Sequence, residues 1–222
     1  MGTAAMEWKR RILPVFVGGL LTVPLALASA TGAQAQLSTS VVVRKYVISG
    51  KTERALLMDM RRKGPRVQGH PALASTKLAA HYSARLEGRA GRCRVRSFRL
   101  QATFTMQLPR LERPRGLARG TRKRWPGFLA RLRRHENRHI SIWRGCLKQA
   151  DRELQRLTAP SCLALKRRMK ERYRRIMRVC DRRHDAFDAK EHHVARSLPF
   201  IRAALGEMRR GYRAPRVPAA RR

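Results

Sequence analysis

The chain has 222 residues, with 52 Lys and Arg against 14 Asp and Glu, a formal net charge of +38. A surface this basic attracts nucleic acid, anionic lipid, lipopolysaccharide phosphates and acidic polymers alike. No nucleic-acid recognition motif accompanies the charge, which excludes a specific nucleic-acid reader, and the length is that of one domain with room for a real core.

Residues 1–35 read as a secretory signal peptide. Lys9, Arg10 and Arg11 form a basic start, and the stretch from Ile12 to Ala28 is apolar. Ala33-Gln34-Ala35 is an A-x-A cleavage site, which predicts a mature start at Gln36. The rival reading is an uncleaved anchor, because the apolar run is near the lower limit for a span. No other segment is apolar and long enough to cross a bilayer. Export therefore predicts a periplasmic or secreted protein, with residues 36–208 as its domain and 209–222 as a basic, disordered tail.

Ser40 to Ile48 reads as a strand ended by Ser49-Gly50. Thr52 is a helix N-cap candidate, and Ala55, Leu56 and Met58, less regularly Leu57 and Met60, suggest a short helix stopped by Gly64-Pro65. Leu73 to Leu86 reads as a strand leading into a turn from Gly88 to Gly91. Phe98, Leu100, Ala102, Phe104, Met106 and Leu108 alternate with polar residues, the period-2 mark of a half-buried strand. Pro109 is expected to stop it, and the two strands form a hairpin. Arg110 to Arg124, with Pro114, Gly116 and Gly120, reads as a loop bordering a site or open to processing.

A helix follows, with Trp125, Phe128, Leu129, Leu132, Ile142, Trp143, Cys146, Leu147, Ala150, Leu154 and Leu157 at 3- and 4-residue spacing. Pro126 fits its early turns. Within it stand His135-Glu136-Asn137-Arg138-His139, the H-E-x-x-H pattern. On a helix, residues i and i+4 share a face, so both imidazoles can reach one metal ion. Neutral imidazole suits Zn²⁺, which binds it at about 2.0–2.1 Å. Glu136 stands where its carboxylate can take a proton from water at that metal. The bland alternative is two histidines hydrogen-bonded into a core. Thr158 to Ser161 breaks the helix. A further one runs from about Cys162 to beyond Cys180, with Leu165, Met169, Tyr173, Ile176, Met177 and Cys180 on one side. The fold class is α+β: a small antiparallel sheet against long helices.

Cys93, Cys146, Cys162 and Cys180 predict two disulfides in an exported chain, with three pairings open. They form no C-x-x-C knuckle. A catalytic zinc needs a third protein ligand. The nearby option fails, because Ile142 and Gly145 stand where a metzincin has Gly and His. The segment from His184 to His193 packs three histidines and three carboxylates (Asp185, Asp188 and Glu191) into ten residues.

The order of landmarks resembles a bacterial family of predicted secreted zinc-dependent proteases, catalogued as domain of unknown function 922. The landmarks are Tyr46-Val47-Ile48-Ser49-Gly50, Gly64-Pro65, the strand from Thr76 to Tyr82, Cys93-Arg94-Val95, Leu108-Pro109, Trp125-Pro126-Gly127-Phe128, the H-E-x-x-H, Ser161-Cys162 and Phe187 to His193. They cover about residues 44 to 194. Arg138 stands where the family has Gly. The closing motif differs at Phe187, Glu191 and Val194, where the family has Tyr, Thr and Gly. The resemblance implies His193 as third zinc ligand. Asp188 is the second choice, as ligand or as a partner orienting a histidine, with Glu191 and His184 behind it.

The expected function is a zinc metallopeptidase with His135, His139 and His193 or Asp188 on Zn²⁺ and Glu136 as base. Tyr173, His184 or an arginine would stabilise the oxyanion. Its partner would be a polypeptide, and the basic surface would steer acidic chains and anionic envelope polymers toward it. The alternative is a non-catalytic, basic envelope-binding protein with a structural or vestigial metal site.

Overall fold

The computed structural model describes residues 36–211. The expected signal peptide and the chain beyond Gly211 lie outside these residues. Strand β1 (Gln36–Ile48) is followed by helix α1 (Glu53–Lys63). A minimal hairpin, β2 (Arg66–Val67) and β3 (His70–Pro71), leads to the long strands β4 (Ser75–Arg89) and β5 (Arg92–Leu111). Helix α2 (Arg119–Gln155), strand β6 (Thr158–Ala159), helix α3 (Cys162–Ser197) and helix α4 (Pro199–Gly211) complete the described chain.

β5 is the centre of the sheet. It pairs antiparallel with β4 on one side, and on the other parallel with β1 and antiparallel with β6. The α+β class holds, but the sheet is mixed rather than antiparallel. β1 reaches β5 through a crossover containing α1, and a crossover of that length lets two strands run the same way. The alternation in β5 is the cause of its position: Leu100, Phe104, Met106 and Leu108 are buried on one face. That face packs against α2 and α3 to form the larger core, with Ile140, Leu147, Leu154, Leu165 and Ile176. The β4–β5 turn is Ala90-Gly91, with φ of 47° and 73°. Two consecutive left-handed residues match the twist of a two-residue hairpin.

Thr52 caps α1 as expected, its hydroxyl accepting from the Ala55 N–H. Gly64 ends the helix by donating to the Met60 carbonyl. A Cβ there would lie 2.4 Å from that oxygen and 2.6 Å from the Ala72 oxygen, so only glycine fits. The buried stripe of α1 is Leu56, Leu57 and Met60, whereas Met58 is 52% exposed. Pro109 does not stop β5, which runs on to Leu111 beside β1. Pairing with β4 has ended by Gln107, so one side of β5 is open at Pro109 and a missing N–H costs nothing there.

The loop expected over 110–124 is shorter, because α2 begins at Arg119. Pro126 consequently lies inside α2, about two turns from its start. Helix α4, which the sequence reading left unassigned, buries Phe200 against Trp125 and Phe128 in a second core with Ile48, Leu56 and Met60. It carries regular structure through Arg209 and Arg210, into the stretch expected to be tail. The cysteines pair Cys93 with Cys162 and Cys146 with Cys180, tying α3 to β5 and to α2.

Candidate metal centre

Three donor atoms converge between α2 and α3. His135 Nε2 and His139 Nε2 are 3.1 Å apart. Asp188 Oδ1 lies 3.3 Å from the first and 3.1 Å from the second. The two histidines share a face of α2 because four residues make just over one turn, and Asp188 comes from the facing helix. A tetrahedral zinc with bonds of about 2.0–2.1 Å holds its ligand atoms roughly 3.3–3.4 Å apart. The triangle is within a few tenths of an ångström of that size. Two imidazoles and a carboxylate also match the borderline-soft chemistry of zinc. The donor set therefore fits the ion that the motif implies.

The far nitrogens of both imidazoles are also engaged. His139 Nδ1 is 2.7 Å from His184 Nδ1. His135 Nδ1 faces Glu191 Oε2 at 3.7 Å, and Glu191 is itself paired with Arg131. Such outer contacts choose which nitrogen is free for a metal and hold the ring in place. Phe187 packs on both rings, with centroids 4.9 Å from His135 and 5.1 Å from His139. Trp143 packs against His184 with ring centroids 4.3 Å apart.

Charge is shared within this group. Burial works against ionised Asp188, but hydrogen bonds from His135 and His139 outweigh it and hold the carboxyl well below the usual range. Burial likewise opposes charge on His135, and the Asp188 hydrogen bond with the Glu136 charge raises its pKa regardless. His184 is pushed down by burial and by neighbouring His139, which favours the neutral ring able to accept from His139.

Glu136 is only 4% exposed. Thr76 Oγ1, on β4, donates to its Oε2 at 2.8 Å. Burial raises the Glu136 pKa, and the Thr76 bond and the two imidazoles offset that only in part. The carboxylate is thus a stronger base than one in water.

Donors and base border a cavity of about 590 Å³ between the start of β4, the β2–β3 hairpin, α2 and α3. A smaller cavity of about 270 Å³ lies on the other side of His135 and Asp188, beside Arg131 and Glu191. Asp181 and Asp185 line the larger cavity, and no lysine or arginine does. The cleft is therefore opposite in sign to the chain as a whole.

The structure brings together His135, Glu136, His139 and Asp188. It does not bring in His193, which is exposed and meets His192 edge to face instead. The expected third position beside His135 and His139 is occupied here by Asp188, the second choice, and not by His193. The reason is helical phase: five residues beyond Asp188 is about 140° round the helix. His184 faces the far nitrogen of His139 and is outside the three-donor group. Tyr173 packs on Tyr82 and does not line the cleft. Sequence reasoning missed Thr76 as the partner of Glu136, and missed Asp181 and Trp143. Asp181 was within reach, since 181, 184, 185 and 188 share one helical face.

Among the described residues no helix is long and apolar enough to cross a membrane. Two disulfides are compatible with an oxidising, extracytoplasmic setting. No curated protein and no solved structure matches the chain. The model of a family described as Bacterial protein of unknown function (DUF922) matches residues 43–194, from β1 through the candidate ligands on α3. That span is most of the chain, which belongs to this family.

Proposed function

We propose that this protein is an exported zinc-dependent peptidase. The observation that carries the reading is the His135–His139–Asp188 triangle, with edges of 3.1–3.3 Å, beside a buried glutamate at the wall of a cleft. His135 Nε2, His139 Nε2 and Asp188 Oδ1 would hold the ion. Zinc, when bound, supplies Lewis acidity that makes water nucleophilic near neutral pH and polarises a carbonyl. Glu136 takes the proton released by the attacking water and gives it to the departing amine. Thr76 fixes the carboxylate through Oε2 and leaves Oε1 for that proton. Trp143 and Phe187 shield the imidazoles and hold their planes.

The substrate is a polypeptide segment that is neutral or cationic around the cleaved bond, since Asp181 and Asp185 face the cleft without a basic neighbour in its lining. Acidic chains would be drawn to the outer surface rather than into the cleft. With matched fluorogenic peptides, kcat/KM should be higher for Lys than for Glu beside the scissile bond. The reverse order would remove the charge part of the proposal.

Elemental analysis of purified protein tests the centre. About one zinc per chain is expected, retained in Glu136→Gln and His193→Ala and lost in Asp188→Ala. Glu136→Gln should lower peptide hydrolysis by roughly 10²–10⁴-fold. Retention of zinc by Asp188→Ala with loss in His193→Ala would overturn the ligand assignment. Hydrolysis unchanged in Glu136→Gln would show that Glu136 is not the base, and zinc in a protein that cleaves no peptide would favour a structural metal in a non-catalytic envelope-binding protein.

A further inference from the structure

The corner where α2 ends and α3 begins holds a second cavity of about 590 Å³, well away from the metal centre. Five arginines line it: Arg156 at the end of α2, and Arg168, Arg172, Arg175 and Arg178 along α3. The four on α3 recur at spacings of four, three and three, so one face of the helix carries them all. Arg168 is anchored by donating to the Thr158 carbonyl at 2.6 Å, and Arg172 by its pair with Glu153. Arg156, Arg175 and Arg178 have no acidic partner among the described residues. Glu171 is the one other carboxylate in the lining.

The backbone beneath is fixed. The Cys93–Cys162 and Cys146–Cys180 bridges fall on either side of the four arginines of α3. Guanidinium groups match oxyanions with paired N–H donors, and several converging on one cavity suit a group with more than one negative charge. A lone carboxylate would occupy one fork and leave the others repelling. We infer that this arginine-lined corner is a binding site for phosphate-bearing anions, independent of the metal centre. Arg178 and Asp188 are ten positions apart on α3, roughly 15 Å along its axis, and the two cavities share no lining residue, so the corner is separate from the three donors.

Calorimetric titration of the whole protein with inorganic pyrophosphate near 0.15 M salt tests this, beside vesicles containing phosphatidylglycerol. The variant Arg156→Gln/Arg175→Gln/Arg178→Gln removes three charges at the corner. The control Arg44→Gln/Arg61→Gln/Arg85→Gln removes three exposed, unpaired charges from β1, α1 and β4. Pyrophosphate affinity should fall at least about tenfold in the first and less than about twofold in the second. Vesicle binding with that same dependence, and no pyrophosphate binding, would support the site with a lipid headgroup as its phosphate source. Arg175→Gln alone should give a partial loss, which keeps the test valid if the triple variant unfolds. Equal losses in the two triple variants, or no binding in either arm, would overturn the inference.

Discussion

Glu136 sits on the inner face of α2 with a single hydroxyl, that of Thr76, bonded to it from the sheet. A hydrogen bond to a charged group is worth about 1.5–3 kcal/mol. Thr76→Val, which keeps the shape and removes the O–H, should therefore lower kcat/KM by roughly 10–100-fold while zinc content stays at the wild-type level; paired kinetic and elemental measurements check this. Loss of zinc as well would mean that Thr76 shapes the centre itself. His135, Glu136 and His139 were legible because their chemistry follows from spacing on one helix. Thr76 was not, since nothing in a strand's own pattern states which helix residue its hydroxyl will meet. Asp188 was legible as a member of a cluster, and its position beside the two histidines, where His193 is not, needed the helix to be carried through that segment without a break.

Among the elements, α2 and α3 decide the site, because each supplies donors that the other lacks. Their cross-link is Cys146–Cys180, and Cys180 stands one turn before His184. A bridge closing a 34-residue separation stabilises by about 3–4 kcal/mol in the chain-entropy account. Cys146→Ser/Cys180→Ser should lose about that much in urea unfolding and should also bind zinc more weakly in chelator competition. Unchanged zinc affinity would show that core packing alone holds the two helices in register. The period-2 stretch of β5 and the 3–4 spacing of α2 were both readable, whereas their ends were not. Pro109 and Pro126 read locally as a stop and a start. Pro109 lies inside its strand where one strand side is free, and Pro126 lies inside α2 because the helix starts two turns before it, at the cost of the hydrogen bond its missing N–H would make.

At the scale of the whole molecule, acid stability follows from two carboxylates that tie α1 into place. Asp59 receives the Ser49 N–H, Arg62 and Lys63, and Glu53 receives Thr121 and Arg124. Burial alone would raise both pKa values, but these bonds outweigh it, lowering Glu53 and taking Asp59 from 3.8 to about 2. A depressed folded-state pKa gives stability that is present above the unfolded value and lost as pH falls through the folded one. The urea midpoint should therefore fall between about pH 4 and pH 2, and Asp59→Asn should flatten part of that fall by removing its share throughout. A profile identical to wild type would show that Asp59 is not a contributor. Charge is also divided along α3: arginines face the α2–α3 corner, and carboxylates face the cleft one to two turns further on. Net charge described the surface and misdescribed the cleft, because a total carries no information about which side chains point inward.

The sequence by itself determined the α+β class, the alternating strand of the hairpin, the two long helices, the pair of imidazoles with their glutamate, and membership of the family. Each of these depends on periodicity or on short spacing, which the backbone geometry of a helix or strand converts directly into position. Only the tertiary structure decided which side chain faces the histidine pair, the disulfide pairing, the parallel placement of β1, the Thr76–Glu136 bond and the arginine corner. These join residues distant in the chain, and their contacts depend on how helices and sheet pack rather than on local pattern.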